Sequence, residues 1–355
     1  MDRRQFLRTG AGGALAATGL TAAGLRLDAA SAIIGRDYFP KPRVPGSYRD
    51  AAGKVHSLAY FGLFQSGATP GVSEPESLES AIGRQVAINH SFRQPPEAPW
   101  APVRDRMAKD IAAGRIPMLS YAAGEQTGIA DHAAAAMARL RSIAAGGQDA
   151  AIDGQARALA ALHRPVFFRF TWEFDLRYLG SAGAATHKAA WRRVRDRFER
   201  KGATNVAFVW CPSWTAFTNG RAATYYPGND YVDWIGADGY ARTPDYRTFS
   251  SMFAKANEFA ANHGKPLMVG ETGVHRLADQ ADRTTGTTAQ STWLDGIRAN
   301  LDQDRFTSVK ALLYFHVDGD DNPLPNQWQV SEPVDGPAFT AFQTLAAHPR
   351  LQAVR

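Results

Sequence analysis

The sequence predicts an α/β fold, a single-domain (β/α)8 TIM barrel, and three observations carry that prediction. Short apolar runs alternate with helical periodicity from residue 57 to the end of the chain. The runs number eight, the number that closes a parallel barrel. The first strand-to-helix turn, Phe61-Gly62-Leu63-Phe64-Gln65, lacks the glycine-rich phosphate fingerprint of an open doubly wound sheet. With 355 residues, 45% of them hydrophobic and 11% aromatic, the chain has the length and the apolar content that such a barrel needs.

The N-terminus reads as an address rather than a part of the fold. Asp2-Arg3-Arg4-Gln5-Phe6-Leu7 is a twin-arginine export signal, followed by an Ala/Gly/Leu run over residues 9–25 and small residues at Ala30-Ser31-Ala32. The run is too short and glycine-rich for a stable membrane anchor. The expectation is a signal peptide over 1–32, a Pro/Gly-rich connector over 33–55, a barrel over 56–348, and a secreted or periplasmic location. Net charge is +6, and the leader's four arginines against two aspartates account for a third of it. The densest basic run, 192–201, is broken by Asp196 and Glu199 and carries Trp191, Val194 and Phe198 at helical spacing, a solvated helix face rather than a nucleic-acid patch. Cys211 is the only cysteine, so no intramolecular disulfide framework forms. A monomer is expected.

The elements follow in order. Residues 57–64 are strand one, 74–82 have helical composition, and 85–90 are strand two. Val103, Met107 and Ile111 recur every four residues on a helix that Gly114 ends. Ile116–Tyr121 is strand three, and Asp131 can cap an Ala-rich helix over His132–Ala145. Residues 152–162 form a further helical piece. The stretch 165–175, Pro-Val-Phe-Phe-Arg-Phe-Thr-Trp-Glu-Phe-Asp, is strand four, and alternation places Phe167, Arg169, Thr171 and Glu173 on one face. A charged row on so apolar a strand is either a structural Arg–Glu pair or the polar tip of a strand that opens into a cleft. Thr186 caps the next helix. Residues 205–210 are strand five and 231–240 strand six; a helix with Phe249, Phe253, Ala256 and Phe259 stops at Gly264. Residues 266–271 are strand seven, a helix carries Trp293, Ile297 and Leu301, and 309–315 are strand eight. A last helix covers 338–346.

In such a barrel the chemistry sits at the C-terminal ends of the strands. The residues there are His90, Tyr121, Arg169, Trp172 and Glu173, Trp210 and Trp214, Asp238 and Tyr240, Glu271, and His316 and Asp318. Two glutamates ringed by aromatics suit a glycan, because aromatic faces stack on sugar rings and paired carboxylates perform glycosidic hydrolysis. No Gly-x-Ser-x-Gly elbow, His-Glu-x-x-His helix or Walker-type loop anchors a serine hydrolase, zincin or nucleotidase. Asp318-Gly-Asp320-Asp321-Asn322 starts like a calcium loop, but Pro323 and Gln329 stand where glycine and a bidentate Glu belong. No metal or other cofactor is expected. For His90 and His316, sugar binding and a structural role both stand.

Four motifs in order resemble glycoside hydrolase family 26. They are Pro165-Val-Phe-Phe-Arg169-Phe-Thr-Trp-Glu173; Asn205-Val-Ala-Phe-Val-Trp210-Cys-Pro212; Tyr225-Tyr-Pro-Gly228 with Asp230-Tyr-Val-Asp233-Trp-Ile-Gly-Ala-Asp238-Gly-Tyr240; and Lys265-Pro266-Leu-Met-Val-Gly-Glu271-Thr-Gly273. The resemblance implies a retaining endo-β-glycanase, mainly β-1,4-mannanase-like, acting on a polysaccharide or oligosaccharide. It further implies Glu173 as acid/base, Glu271 as nucleophile, Tyr240 donating to Glu271, and Arg169 keeping that carboxylate ionised. The two carboxyl groups of a retaining pair lie about 5 to 5.5 Å apart. Three departures stand out, one of them at the end of strand eight, where Phe315-His316 stands in place of the family's tryptophan. Trp172 precedes Glu173 where the family has His, and Asp175-Leu176 occupy the place of Asn-Gly. A Trp cannot accept a hydrogen bond, which opens β-glucan, β-xylan or a barrel that binds without turnover.

Overall fold

The computed structural model describes residues 39–93, 100–121, 132–177, 180–242, 246–275, 283–317, 328–330 and 336–352. The leader and the loop that begins at Asp318 lie outside the described residues. Eight strands, β1 (Ala59–Gln65), β2 (Ile88–Arg93), β3 (Ile116–Tyr121), β4 (Val166–Phe170), β5 (Val206–Trp210), β6 (Trp234–Ala241), β7 (Leu267–Val274) and β8 (Val309–His316), pair in parallel in chain order. β8 closes on β1, in register from Ala311 opposite Tyr60 to His316 opposite Gln65. The helices between them are α1 (Glu76–Ile82), α2 (Trp100–Ala112), α3 (His132–Ala145), α4 (Asp149–Ala160), α5 (Gly180–Arg200), α6 (Phe249–Asn262) and α7 (Arg283–Asp302), with α8 (Pro337–Ala346) last. Two helical turns, Trp214–Thr218 and Ala222–Tyr225, replace a long helix between β5 and β6.

Alternation along the strands sorts the apolar side chains into two cores. Ile88, Ile116, Met118, Phe167, Val209, Trp234, Met268 and Leu313 fill the barrel. Phe61, Leu119, Phe168, Phe208, Ile235, Val269 and Leu312 point outward and pack under Met107, Trp191, Phe198, Phe253 and Ile297 of the helices. Full burial of each such side chain contributes about 1.5–3 kcal/mol, so the filled interior is a platform rather than a pore.

Some expectations are corrected. Strand four stops at Phe170, because Thr171 and Glu173 have left-handed φ values of 45° and 48° that no strand continues. The alternation read through to residue 173 therefore breaks. Trp172 enters the interior cluster, and Thr171 faces outward to helix α5. Thr186 lies inside α5, which begins at Gly180, and its hydroxyl donates back to the Ala182 carbonyl at 2.9 Å instead of capping. The stretch read as a connector includes an antiparallel hairpin, Ser47–Arg49 with Val55–Ser57. Beyond α8, Leu351–Gln352 adds to the N-terminal end of β1. Buried Arg350 donates to the carbonyls of Ser57 at 2.6 Å and Leu301 at 2.8 Å, which ties the chain end under the barrel.

Candidate active site

One guanidinium organises the C-terminal mouth of the barrel. Arg169, second from the end of β4, points inward and is fully buried. Its Nη1 donates to both carboxylate oxygens of Asp238, at 2.9 and 2.7 Å. Its Nη2 donates to Glu271 Oε1, and its Nε donates to Ser120 Oγ at 2.6 Å. Burial alone works against the charged form of Arg169, but the Asp238 and Glu271 carboxylates more than offset it and raise its pKa. Burial, with the Glu271 and Glu173 charges added, pushes the Asp238 carboxyl well up against the pull of Arg169. The charge on Asp238 therefore depends on the guanidinium.

Glu271 is held from its other oxygen as well. The Tyr240 hydroxyl donates to Glu271 Oε2 at 2.5 Å. Burial, and then the Glu271 and Asp238 charges, push the Tyr240 phenol far up, so it remains a donor. A β-bulge sets this geometry. The β6–β7 register steps from Ala237 opposite Val269 to Asp238 opposite Glu271, which leaves Gly270 as the extra residue. Glycine is required there, since a Cβ on Gly270 would lie 2.7 Å from Asp238 Oδ1 and 3.0 Å from Cys211 Sγ.

Glu173 sits on the turn after β4, its amide donating to the Cys211 carbonyl at 2.9 Å. Glu173, on the turn after β4, and Glu271, at the bulge of β7, both stand at the C-terminal end of the barrel. Cys211 links the Glu173 turn to Asp238, because its carbonyl accepts from the Glu173 amide and its thiol donates to Asp238 Oδ1 at 3.1 Å. Burial pushes that thiol well above its usual range, which keeps it a neutral donor.

His90 belongs beneath this cluster rather than at the sugar. It is fully buried, with Nε2 2.7 Å from Ser120 Oγ and 3.3 Å from Arg169 Nη2. Because Arg169 can only donate, Nε2 is the acceptor. Ser120 then accepts from Arg169 and donates to His90, which fixes the Nδ1–H tautomer. Burial first, then Arg169, lower the His90 pKa well below its ordinary value.

The aromatic assignments are partly corrected. Trp210 is fully buried in the outer core, tilted on Phe174 and facing Tyr226 and Phe259, so it lines no cleft. Trp214 packs outside β6 against the same outer core, with Arg247 over its ring at 5.8 Å. His316 shares the parity of Leu312 and Tyr314, which point outward, and its neighbour Phe315 turns inward instead. Strand-end position alone had grouped inward and outward residues; parity separates them. The inward aromatics are Phe64, stacked on Phe315 at 5.0 Å, and Phe92, edge-on to Trp172 at 5.1 Å. Trp172 covers the Arg169 guanidinium at 5.1 Å. Trp328, 4.6 Å from Tyr240, adds an aromatic that no strand pattern marked. Asp238 was readable, standing two residues before Tyr240 on one face of its strand. Among the described residues, no group of three or more His, Cys, Asp or Glu side chains could hold a metal ion.

The class that the fold defines is a (β/α)8 barrel, closed and parallel, with carboxylates at its strand ends. Residues 131–293 match the model of glycosyl hydrolase family 26, so the resemblance read from the four motifs is shown. A β-1,3-xylanase from Alcaligenes sp is 28% identical over 189 residues, 49% of this chain and 38% of the relative. The β-1,3-xylanase TXYA from Vibrio sp is 28% identical over 190 residues, 49% of this chain and 39% of the relative. This chain thus aligns with about two fifths of the length of these two curated relatives. A solved family-26 β-mannanase from Bacteroides ovatus superposes with a TM-score of 0.57 at 19% identity, covering 84% of this chain and 91% of that one, which shows the fold.

Proposed function

We propose that the protein is an exported, retaining endo-β-glycanase that works by double displacement. Glu271 attacks the anomeric carbon while the carboxylic acid of Glu173 gives its proton to the leaving oxygen. Glu173, now a carboxylate, then takes a proton from the water that displaces Glu271. The observation that carries this reading is the grip of Arg169 and Tyr240 on the two oxygens of Glu271 in the mouth that also holds Glu173. Trp172, Phe92, Phe64 and Phe315 offer the aromatic surface on which a sugar ring packs.

The reading takes β-1,3-xylan as the first substrate to test, supported by two relatives named β-1,3-xylanases, and β-mannan, implied by the four motifs, as the second. Glu173→Ala is expected to lower hydrolysis of a responsive polysaccharide about 10²–10⁴-fold. Glu271→Ala is expected to abolish it, with azide restoring turnover to a product of inverted anomeric configuration. Two variants with wild-type rates would sink the mechanism. Trp172 in the place of the family His favours a second reading, a barrel that binds glycan without turnover. Retention of the protein in polysaccharide gels with no product would select it. For export, replacing Arg3 and Arg4 by Lys should retain a reporter fused to residues 1–32 inside the cell.

A further inference from the structure

The turn that carries Glu173 is bent twice into the left-handed region, at Thr171 (φ 45°) and at Glu173 (φ 48°). For a β-branched residue that conformation is a steric outlier, and it persists only where the surroundings over-determine it. The restraints can be named. The Thr171 amide donates to the Tyr121 carbonyl and the Glu173 amide to the Cys211 carbonyl, both at 2.9 Å, so β3 and β5 hold the backbone from two sides. The Thr171 hydroxyl lies 3.2 Å from His187 Nε2 on helix α5. Phe174, next after Glu173, lays its ring on the same imidazole, with centroids 3.9 Å apart and planes 27° from parallel. The residues on both sides of Trp172-Glu173 thus close on one side chain.

His187 is fully buried in the outer core, away from the barrel mouth. Burial first, and the Lys188 charge second, lower its pKa to about 3, so the imidazole is neutral at any ordinary pH. A neutral imidazole offers Thr171 a fixed hydrogen-bond partner and Phe174 a flat face without a buried charge.

We infer that His187 is a positioning residue for Glu173, clamping the strained turn between Thr171 and Phe174 so that the carboxyl is aimed at the leaving oxygen. It touches no substrate. The inference rests on the acid/base role proposed for Glu173. Asp175 supplies a second anchor past the turn, accepting from the Ser213 amide at 2.7 Å and the Ser213 hydroxyl at 2.6 Å. That anchor leaves the Thr171 side of the turn to His187.

The test exploits the fact that a poor leaving group needs the acid and a good one does not. Phenyl and 2,4-dinitrophenyl β-xylobiosides and β-mannobiosides are compared in wild type, Glu173→Ala, His187→Ala and His187→Gln. His187→Ala should lose at least tenfold more rate on the phenyl than on the dinitrophenyl glycoside, and His187→Gln, which returns an amide near Nε2, should recover most of it. Equal loss on both leaving groups would assign His187 to general stability and overturn the proposal. If Glu173→Ala shows no leaving-group dependence, the acid/base reading fails instead, which separates the two. Hydrogen exchange provides a readout that needs no turnover. In His187→Ala the Thr171 and Glu173 amides should lose protection while those of β5 and β7 keep theirs, and unchanged protection at the turn would also overturn the proposal.

Discussion

At the scale of single residues, Arg169 is the group whose loss the site cannot absorb. It is one cation shared by two buried carboxylates, and breaking a buried ion pair by deleting one partner costs about 3–5 kcal/mol because a charge is left uncompensated. Arg169→Met should therefore lower the unfolding free energy by about that amount and reduce kcat/KM by two orders of magnitude or more. Denaturant unfolding and steady-state kinetics read the two effects separately. Arg169→Lys should recover part of the stability and little of the activity, since a point charge cannot serve Asp238, Glu271 and Ser120 together as the planar fork does. Arg169, Glu173, Tyr240 and Glu271 were legible in the sequence as charged or polar residues ending apolar runs. Trp210, Trp214 and His316 were misplaced, because nearness to a strand end says nothing about which face a side chain takes. The sequence marks Cys211 only as a lone thiol without a disulfide partner. Its thiol packs in the interior and donates to Asp238, a contact that exists only after β5 and β6 are aligned.

At the scale of elements, the eight strands were legible because each is a short apolar run bounded by turns, and parity held along most of each run. It failed at the end of β4 and at the bulge of β7. Neither a left-handed Thr171 nor an extra residue at Gly270 has a hydrophobic signature. Both irregularities aim a carboxylate, Glu173 in the first case and Glu271 in the second. The bulge can be tested. Gly270→Ala places a methyl group 2.7 Å from Asp238 Oδ1, 3.0 Å from Cys211 Sγ and 3.2 Å from Arg169 Nη1, where side chains held by their own hydrogen bonds have little room to retreat. Overpacking of this kind costs about 1–3 kcal/mol. The expected result is a folded barrel of somewhat lower Tm with kcat down at least tenfold. A Gly270→Ala enzyme with full kcat would show that the bulge does not set the nucleophile.

At the scale of the whole molecule, buried neutral histidines should make the barrel sensitive to acid. His187 is packed against Thr171, Phe174, Trp191 and Tyr225 with the Lys188 charge nearby, and its pKa falls from an ordinary 6.5 to about 3 in the folded chain. Between those values the unfolded chain binds a proton that the folded chain refuses, so stability rises with pH across that window and is lost as pH falls through it. The full contribution is about 5 kcal/mol, present above about pH 6.5 and gone near pH 3. His90 is shifted in the same direction, by burial and then Arg169, and adds to the slope. Asp153 acts in a lower window. Its hydrogen bond from Arg197 holds its carboxyl down at about 2, so that contribution is present above the ordinary carboxylate value and is lost as pH falls towards 2. The melting temperature should therefore drop steadily from pH 7 to pH 4, before Asp153 is affected. His187→Gln, which has no proton to take up, should show a shallower fall over the same range. Calorimetric scans of the two proteins at half-unit steps decide it, and parallel curves would mean that His187 does not carry the acid response.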